Sequence, residues 1–153
     1  MGELLTSNLN ISPMKIEKIT QAISTAARAR GYKSVVVGKQ GQKPTSDEYP
    51  YVQVSTPTLR QKSGTNKGIV TLRTEVTLCR LAELPHPADD DGEAEAELRQ
   101  LLYDDALAVI DAIDALACVC EVKCTAESTR AKLTPYGDAS LSLAIDTKIK
   151  YRK

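Results

Sequence analysis

From Ser140 to Tyr151 the chain alternates apolar and polar side chains: Leu141, Leu143, Ile145, Ile149 and Tyr151 against Ser140, Ser142, Asp146, Lys148 and Lys150. A period of two over that length cannot form the stripe of a helix, so it demands a long strand with one face buried and one face polar. A second stretch obeys the same rule, with Val70, Leu72, Val76 and Leu78 on one face and Arg73 and Glu75 on the other. Two long strands with one dry face each need something apolar laid across them. The chain supplies it between the two stretches, where Leu98, Leu102, Val109, Ile113 and Leu116 recur at helical spacing and form one stripe of an amphipathic helix. Glu95, Glu97 and Asp91 near the start of that helix suit the positive end of its dipole.

The remaining elements follow from local chemistry. Ser12-Pro13 reads as a helix start, a hydroxyl cap before a proline, and Ile16, Ile19, Ile23 and Ala26/Ala27 give that helix its apolar face. Gly31 is placed to close it,. Ser34–Val37 and Val52–Ser55 are short β-branched runs, separated by a Gly- and Pro-containing loop from Gly38 to Pro44,. Ser63–Gly68 reads as the polar tip of an antiparallel hairpin. After the second helix, Cys118, Cys120, Val122 and Cys124 alternate inward on a strand, a polar run from Thr125 to Lys132 follows, and Tyr136-Gly137-Asp138 turns the chain into the last strand. The predicted fold class is α+β, a mainly antiparallel sheet with two helices packed on one face, in the order α-β-β-β-α-β-β. A chain of 153 residues suits a single domain, here residues 13–153 behind a flexible N-terminal arm, residues 1–12. With no Phe and no Trp, the core must be built from Val, Ile, Leu, Ala and a few Tyr.

Signatures of catalysis and of metal binding are weak. The single histidine, His86, stands between two prolines in a loop with no nucleophile beside it, so a solvated loop residue outweighs a general base. Three thiols alternating along a strand (Cys118, Cys120, Cys124) spread along one face and do not converge as zinc ligands do,. Small buried hydrophobes are the better reading. Gly38-Lys39-Gln40-Gly41 lacks the spacing of a phosphate-binding loop, and Asp89-Asp90-Asp91 lacks the alternation of a calcium loop,. The first fourteen residues show no secretory leader, which makes the Asn10-Ile11-Ser12 sequon idle and favours reduced thiols,. Met1-Gly2-Glu3-Leu4-Leu5-Thr6 fits a myristoylation pattern, but no basic cluster follows as a second anchor,. No apolar run reaches the roughly 20 residues of a membrane span. No enzyme activity, cofactor, metal or membrane partner is expected.

Two features stand out against that background. Lys+Arg and Asp+Glu are both 20, yet the signs are segregated. From Lys18 to Arg73 there are ten bases against Asp47 and Glu48; from Glu83 to Asp114 there are eleven acids against Arg99. A neutral chain with oppositely charged parts favours head-to-tail contact between copies. The second helix also carries an apolar shoulder, Tyr103, Leu107 and Ile110, away from its main stripe, with Leu107 almost opposite Leu98. A helix on a sheet needs only one buried face, so these three are candidate subunit-interface residues. Lys39, Lys43, Lys62 and Lys67 are candidates for lumen or partner contacts, though solvated turns account for them equally well.

Certain strings are more particular. Tyr49-Pro50-Tyr51-Val52-Gln53-Val54 follows a helix and a loop. A long strand then ends Thr74-Glu75-Val76-Thr77-Leu78, and an acidic helix passes through Ile113-Asp114-Ala115-Leu116. Thr134-Pro135-Tyr136-Gly137-Asp138 leads into the final strand, Ala139 to Tyr151. Over residues 13–151 this succession resembles the tail terminator proteins of long-tailed bacteriophages. The resemblance implies a virion protein, assembled in the host cytoplasm, that forms a hexameric ring on the finished tail tube. It further implies an end to tube polymerisation, contact with the tail tube protein and the head–tail connector, DNA passing through the lumen, and no catalytic residues. The N-terminal arm and the loop from Gly38 to Lys43 depart from that pattern. Other neck and head-completion proteins share the architecture and are the adjoining alternative. A small nucleic-acid-binding module is a more distant one, supported by the basic half and opposed by the scarcity of stacking aromatics.

Overall fold

Two helices and six strands make up the described residues of the computed structural model, which are 16–38, 49–62, 68–81, 92–128 and 138–150. In chain order they are helix α1 (Glu17–Ala29), strands β1 (Ser34–Val37), β2 (Tyr51–Val54), β3 (Thr58–Lys62) and β4 (Ile69–Leu81), helix α2 (Glu93–Asp114), and strands β5 (Val119–Ser128) and β6 (Asp138–Lys150). The fold class is α+β. The strands form one sheet in the order β1-β2-β4-β6-β5, with β3 paired to β4 outside that path. The pair β1–β2 is parallel, and every other pair is antiparallel.

The two long alternating stretches are neighbours at the centre of the sheet. Strands β4 and β6 pair in unbroken register from Ile69↔Lys150 to Leu81↔Asp138. Their dry faces are therefore aligned: Leu72, Val76 and Leu78 beside Leu141, Leu143, Ile145 and Ile149. Val52 and Val54 extend that face through β2. Both helices cover it, α1 with Ile19, Ile23 and Ala27 and α2 with Leu98, Leu102, Ala106, Val109 and Ile113, in one hydrophobic core. The opposite face is polar, crossed by Arg73–Asp146 (2.6 Å), Lys148–Glu121 (3.1 Å) and Thr77–Ser142 (3.1 Å).

Four details differ from the sequence reading. Strand β3 joins the expected strands as the first arm of the hairpin into β4; Thr58-Leu59-Arg60-Gln61-Lys62 has no alternating apolar pattern, because an edge strand is held by its ladder rather than by burial,. Helix α1 begins at Glu17, and Ile16 is 44% exposed beside it, outside the apolar face to which its spacing assigned it. Cys120 does not alternate inward. The register of β5 shifts between Val119 and Glu121, so Cys120 sits in a bulge and is exposed while Val119, Val122 and Cys124 pack against the core,. Strand β5 also runs on to Ser128, through the start of the expected polar run, because its hydrogen bonds to β6 do not require apolar side chains. Gly31 closes α1 as expected, with φ +96°. A Cβ there would meet nothing within 4 Å, so backbone conformation and not space favours glycine,. The N-terminal arm, the Ser12-Pro13 helix start, the Gly38–Pro44 loop beyond Gly38, His86 and the Asp89–Asp91 run lie outside the described residues.

Two core-facing positions of the central strands carry hydroxyls. Thr74 and Thr147 are diagonal neighbours across the β4–β6 ladder, fully buried, and neither Oγ1 has a hydrogen-bond partner among the described residues. A buried hydroxyl without a partner destabilises a fold, and valine has nearly the same shape. Thr74→Val and Thr147→Val should each raise stability by about 1 kcal/mol, measured as a higher urea midpoint at constant slope. A midpoint that falls would show that these hydroxyls are satisfied.

Candidate subunit-interface site

Helix α2 buries more than apolar residues. Asp105 lies beside Leu98 at the edge of the apolar arc of Leu102, Val109 and Ile113, and it is buried to 1% exposure,. A carboxylate cannot be placed there alone, and four side-chain hydrogen bonds meet it. Arg80, at the end of β4, donates to both oxygens, Nε to Oδ2 at 2.6 Å and Nη2 to Oδ1 at 3.0 Å. Arg30 Nε, from the end of α1, donates to Oδ1 at 2.8 Å, and the Tyr32 hydroxyl donates to Oδ2 at 2.6 Å. Arg80 also donates to the Arg30 carbonyl at 3.0 Å and lies over the Tyr32 ring, 4.9 Å from its centroid.

The electrostatics follow from that geometry. Burial pushes the Asp105 carboxyl up, but the hydrogen bonds from Arg80, Tyr32 and Arg30 outweigh it and hold the group below the ordinary carboxylate range. Burial and the bond to Asp105 push the Tyr32 phenol well above its ordinary value, so it remains a donor. Burial opposes the Arg80 charge, and the bond to Asp105 more than restores it. The cluster joins α1, β4 and α2 in one ionic knot. The acid was visible in the sequence as a charge on a buried arc, and Arg80 as the next inward position after Val76 and Leu78. Their pairing was not, because it spans 25 residues between Arg80 and Asp105 and 75 between Arg30 and Asp105.

With that arc held inward, the far side of α2 faces out. Leu107 is 59% exposed and Tyr103 40%, while Ile110 is half-buried. The three candidate interface residues thus share the outer side of one helix. Leu101 is also exposed, on the other flank. The carboxylates of Asp104, Asp111 and Asp114 accompany the shoulder, and the last turn of α2 contains no base. Of the four candidate lysines, Lys62 closes β3 opposite Val70, and Lys39, Lys43 and Lys67 lie outside the described residues.

A second polar cluster sits where β2, β4 and β6 meet. The Tyr49 hydroxyl donates to Asp138 Oδ2 at 2.8 Å, and the Cys79 thiol approaches the same oxygen at 3.7 Å. The Tyr49 and Tyr51 rings meet edge to face at 5.1 Å. Burial pushes the Cys79 thiol up to about 12, which leaves it protonated and a poor nucleophile at neutral pH. Among the described residues no group of histidine, cysteine and carboxylate side chains is arranged to hold a metal ion, and no helix is long and apolar enough to cross a membrane. Compared with known proteins, the chain matches no family model and no curated sequence.

The ionic knot has a definite pH signature. Because the folded carboxyl titrates below its unfolded value of about 3.9, its contribution is complete above that value and is lost as pH falls through the depressed one,. Asp105→Ala, which strands Arg80 without its partner, should cost about 3–5 kcal/mol at neutral pH. Urea midpoints should hold down to about pH 4 and fall steeply below it in the parent, and less so in Asp105→Asn. Equal midpoints for Asp105→Ala and the parent at pH 7 would remove the knot from any stabilising role.

Proposed function

We propose that the chain is a structural ring subunit of a phage tail, which caps the tail tube, ends its polymerisation and presents a surface to the head–tail connector. The observation that carries this reading is the exposed shoulder of α2, where Leu107 crowns a helix whose opposite arc is locked into the core. Large aliphatic and aromatic groups grouped on a helix crest are stabilised by a covering surface. The strings from Tyr49 to Val54 and from Thr134 to Tyr151, in their order around an acidic helix, support the particular assignment to a tail terminator.

The mechanism in this reading is steric. Copies meet through unlike faces and the rotation between them closes into a ring, for which six is the expected number. One ring face matches the last ring of the tube, and the other offers no template for a further tube subunit, so growth stops. The partners are copies of the chain, the tube protein and the connector, with DNA passing through the opening. The location is the virion, after assembly in the host cytoplasm. No bond is made or broken. A different neck or head-completion station would keep the ring and change only its neighbours.

Mass measurement of the purified protein, alone and mixed with tube subunits, tests the proposal. Rings that cap tubes at a fixed length are expected from the parent chain. Leu107→Asp, at a position exposed in the isolated chain, should retain the fold and lose ring formation by at least about 30-fold in concentration. Tubes that grow without limit beside the folded parent protein would overturn the assignment.

A further inference from the structure

The sheet has two unlike margins. Its order places β1 at one side and β5 at the other, and β3 occupies the edge of β4 on the β2 side. Helix α1 contacts β1, whereas α2 contacts β4, β6 and β5. One flank is therefore α2 with β5, and the other is the margin of β1 and β3.

Each flank carries an uncovered apolar group. The two most exposed large hydrophobic residues described are Leu59 on β3, at 64%, and Leu107 on α2, at 59%. Val37, at the end of β1, accompanies Leu59: the Gly38 amide that follows it donates to the Val54 carbonyl, four residues before β3 begins. Tyr103 accompanies Leu107. Leu59 pairs in register with Leu72, a core residue, so it stands on the helix-bearing side of the sheet, the side on which α2 lies.

The charges of the two flanks are opposite. Described residues 32–38 and 49–62, which contain β1, β2 and β3, include Lys33, Arg60 and Lys62 and no acid. From Gln100 to Asp114, α2 includes Asp104, Asp105, Asp111 and Asp114 and no base. Asp105 is spent inside the fold, which leaves three carboxylates along the shoulder. Asp111 and Asp114 stand at the negative end of the helix dipole, an arrangement unfavourable in an isolated helix and relieved by an arriving cation,. Two α2 shoulders facing each other would bring three carboxylates from each copy together, which disfavours a symmetric pair.

We infer that a second copy of this chain occupies the α2 shoulder and does so with its opposite flank: Leu59 and Val37 of one copy cover Leu107, Tyr103 and Ile110 of the next, and the basic margin meets the acids of α2. The contact is heterologous, so every copy offers one flank of each kind and closure gives a ring. This deepens the ring reading and rests on it.

The experiment uses Leu59→Asp and Leu107→Asp, both at exposed positions, with far-UV circular dichroism and melting temperature as checks of folding. Sedimentation of each variant alone should show a monomer, at least about 30-fold weaker in self-association than the parent. An equimolar mixture should form a one-to-one dimer and nothing larger, because only the intact α2 shoulder of Leu59→Asp and the intact β3 margin of Leu107→Asp can meet. A Leu59→Asp protein that assembles as the parent does, or a mixture that remains monomeric, would overturn this contact while leaving the ring standing. A parent chain that stays monomeric at millimolar concentration would overturn both.

Discussion

The Asp105 carboxylate, buried under α2 and met by Arg80, Arg30 and Tyr32, is the constraint on which the arrangement of the helix layer depends. Apolar packing alone would let a helix roll on a sheet through small angles at modest cost, since dispersion and burial are not directional. A carboxylate with four directional bonds does not allow that. It fixes α2 about its own axis and ties it to the ends of α1 and β4 at the same point. Leu107 follows two residues later, about 200° further round the helix. The charge that holds one side inward thus presents the aliphatic side outward.

Beneath the helices, the β4–β6 ladder provides the rigid reference. Its unbroken register aligns two dry faces for the whole length of both strands, and every other strand is added to one side or the other of this pair. The additions are unequal. The β1–β2–β3 side is built of short pieces, one of them parallel, and β3 resumes the edge of β4 where β2 leaves it. The β5 side is a single ten-residue strand with register shifts near both ends. Bulges and short strands blunt an edge against indiscriminate pairing. The flanks differ in backbone as well as in charge, a difference that suits unlike contacts between copies.

Elements with strong internal periodicity were legible in the sequence. The stripe of α2, the alternation of β4 and β6, and the left-handed Gly31 after α1 can all be read from neighbouring residues. The exposed shoulder was equally legible, because the angle between Leu98 and Leu107 is set by the helix itself. Strand β3 was not, since Thr58–Lys62 holds its place through pairing with β4 and has only Leu59 as a large apolar residue. Cys120 misled for a related reason. Alternation predicts an inward thiol, but a one-residue bulge reverses the face and leaves no local signal. Ile16 has the spacing of a core residue and stands at the helix terminus, where the arc that would bury it has not yet begun.

By itself, the sequence determined the class of fold, the identity of the buried faces and the outward projection of Leu107, because each depends on periodicities of two or 3.6 residues within one element. The tertiary structure alone decided which strands are neighbours, that β1 and β2 run parallel, and that Asp105 belongs with Arg80, Arg30 and Tyr32. Those outcomes depend on groups dozens of residues apart, brought together only when the chain closes on itself. Residue order records which partners a buried charge requires, but not where along the chain they will be found.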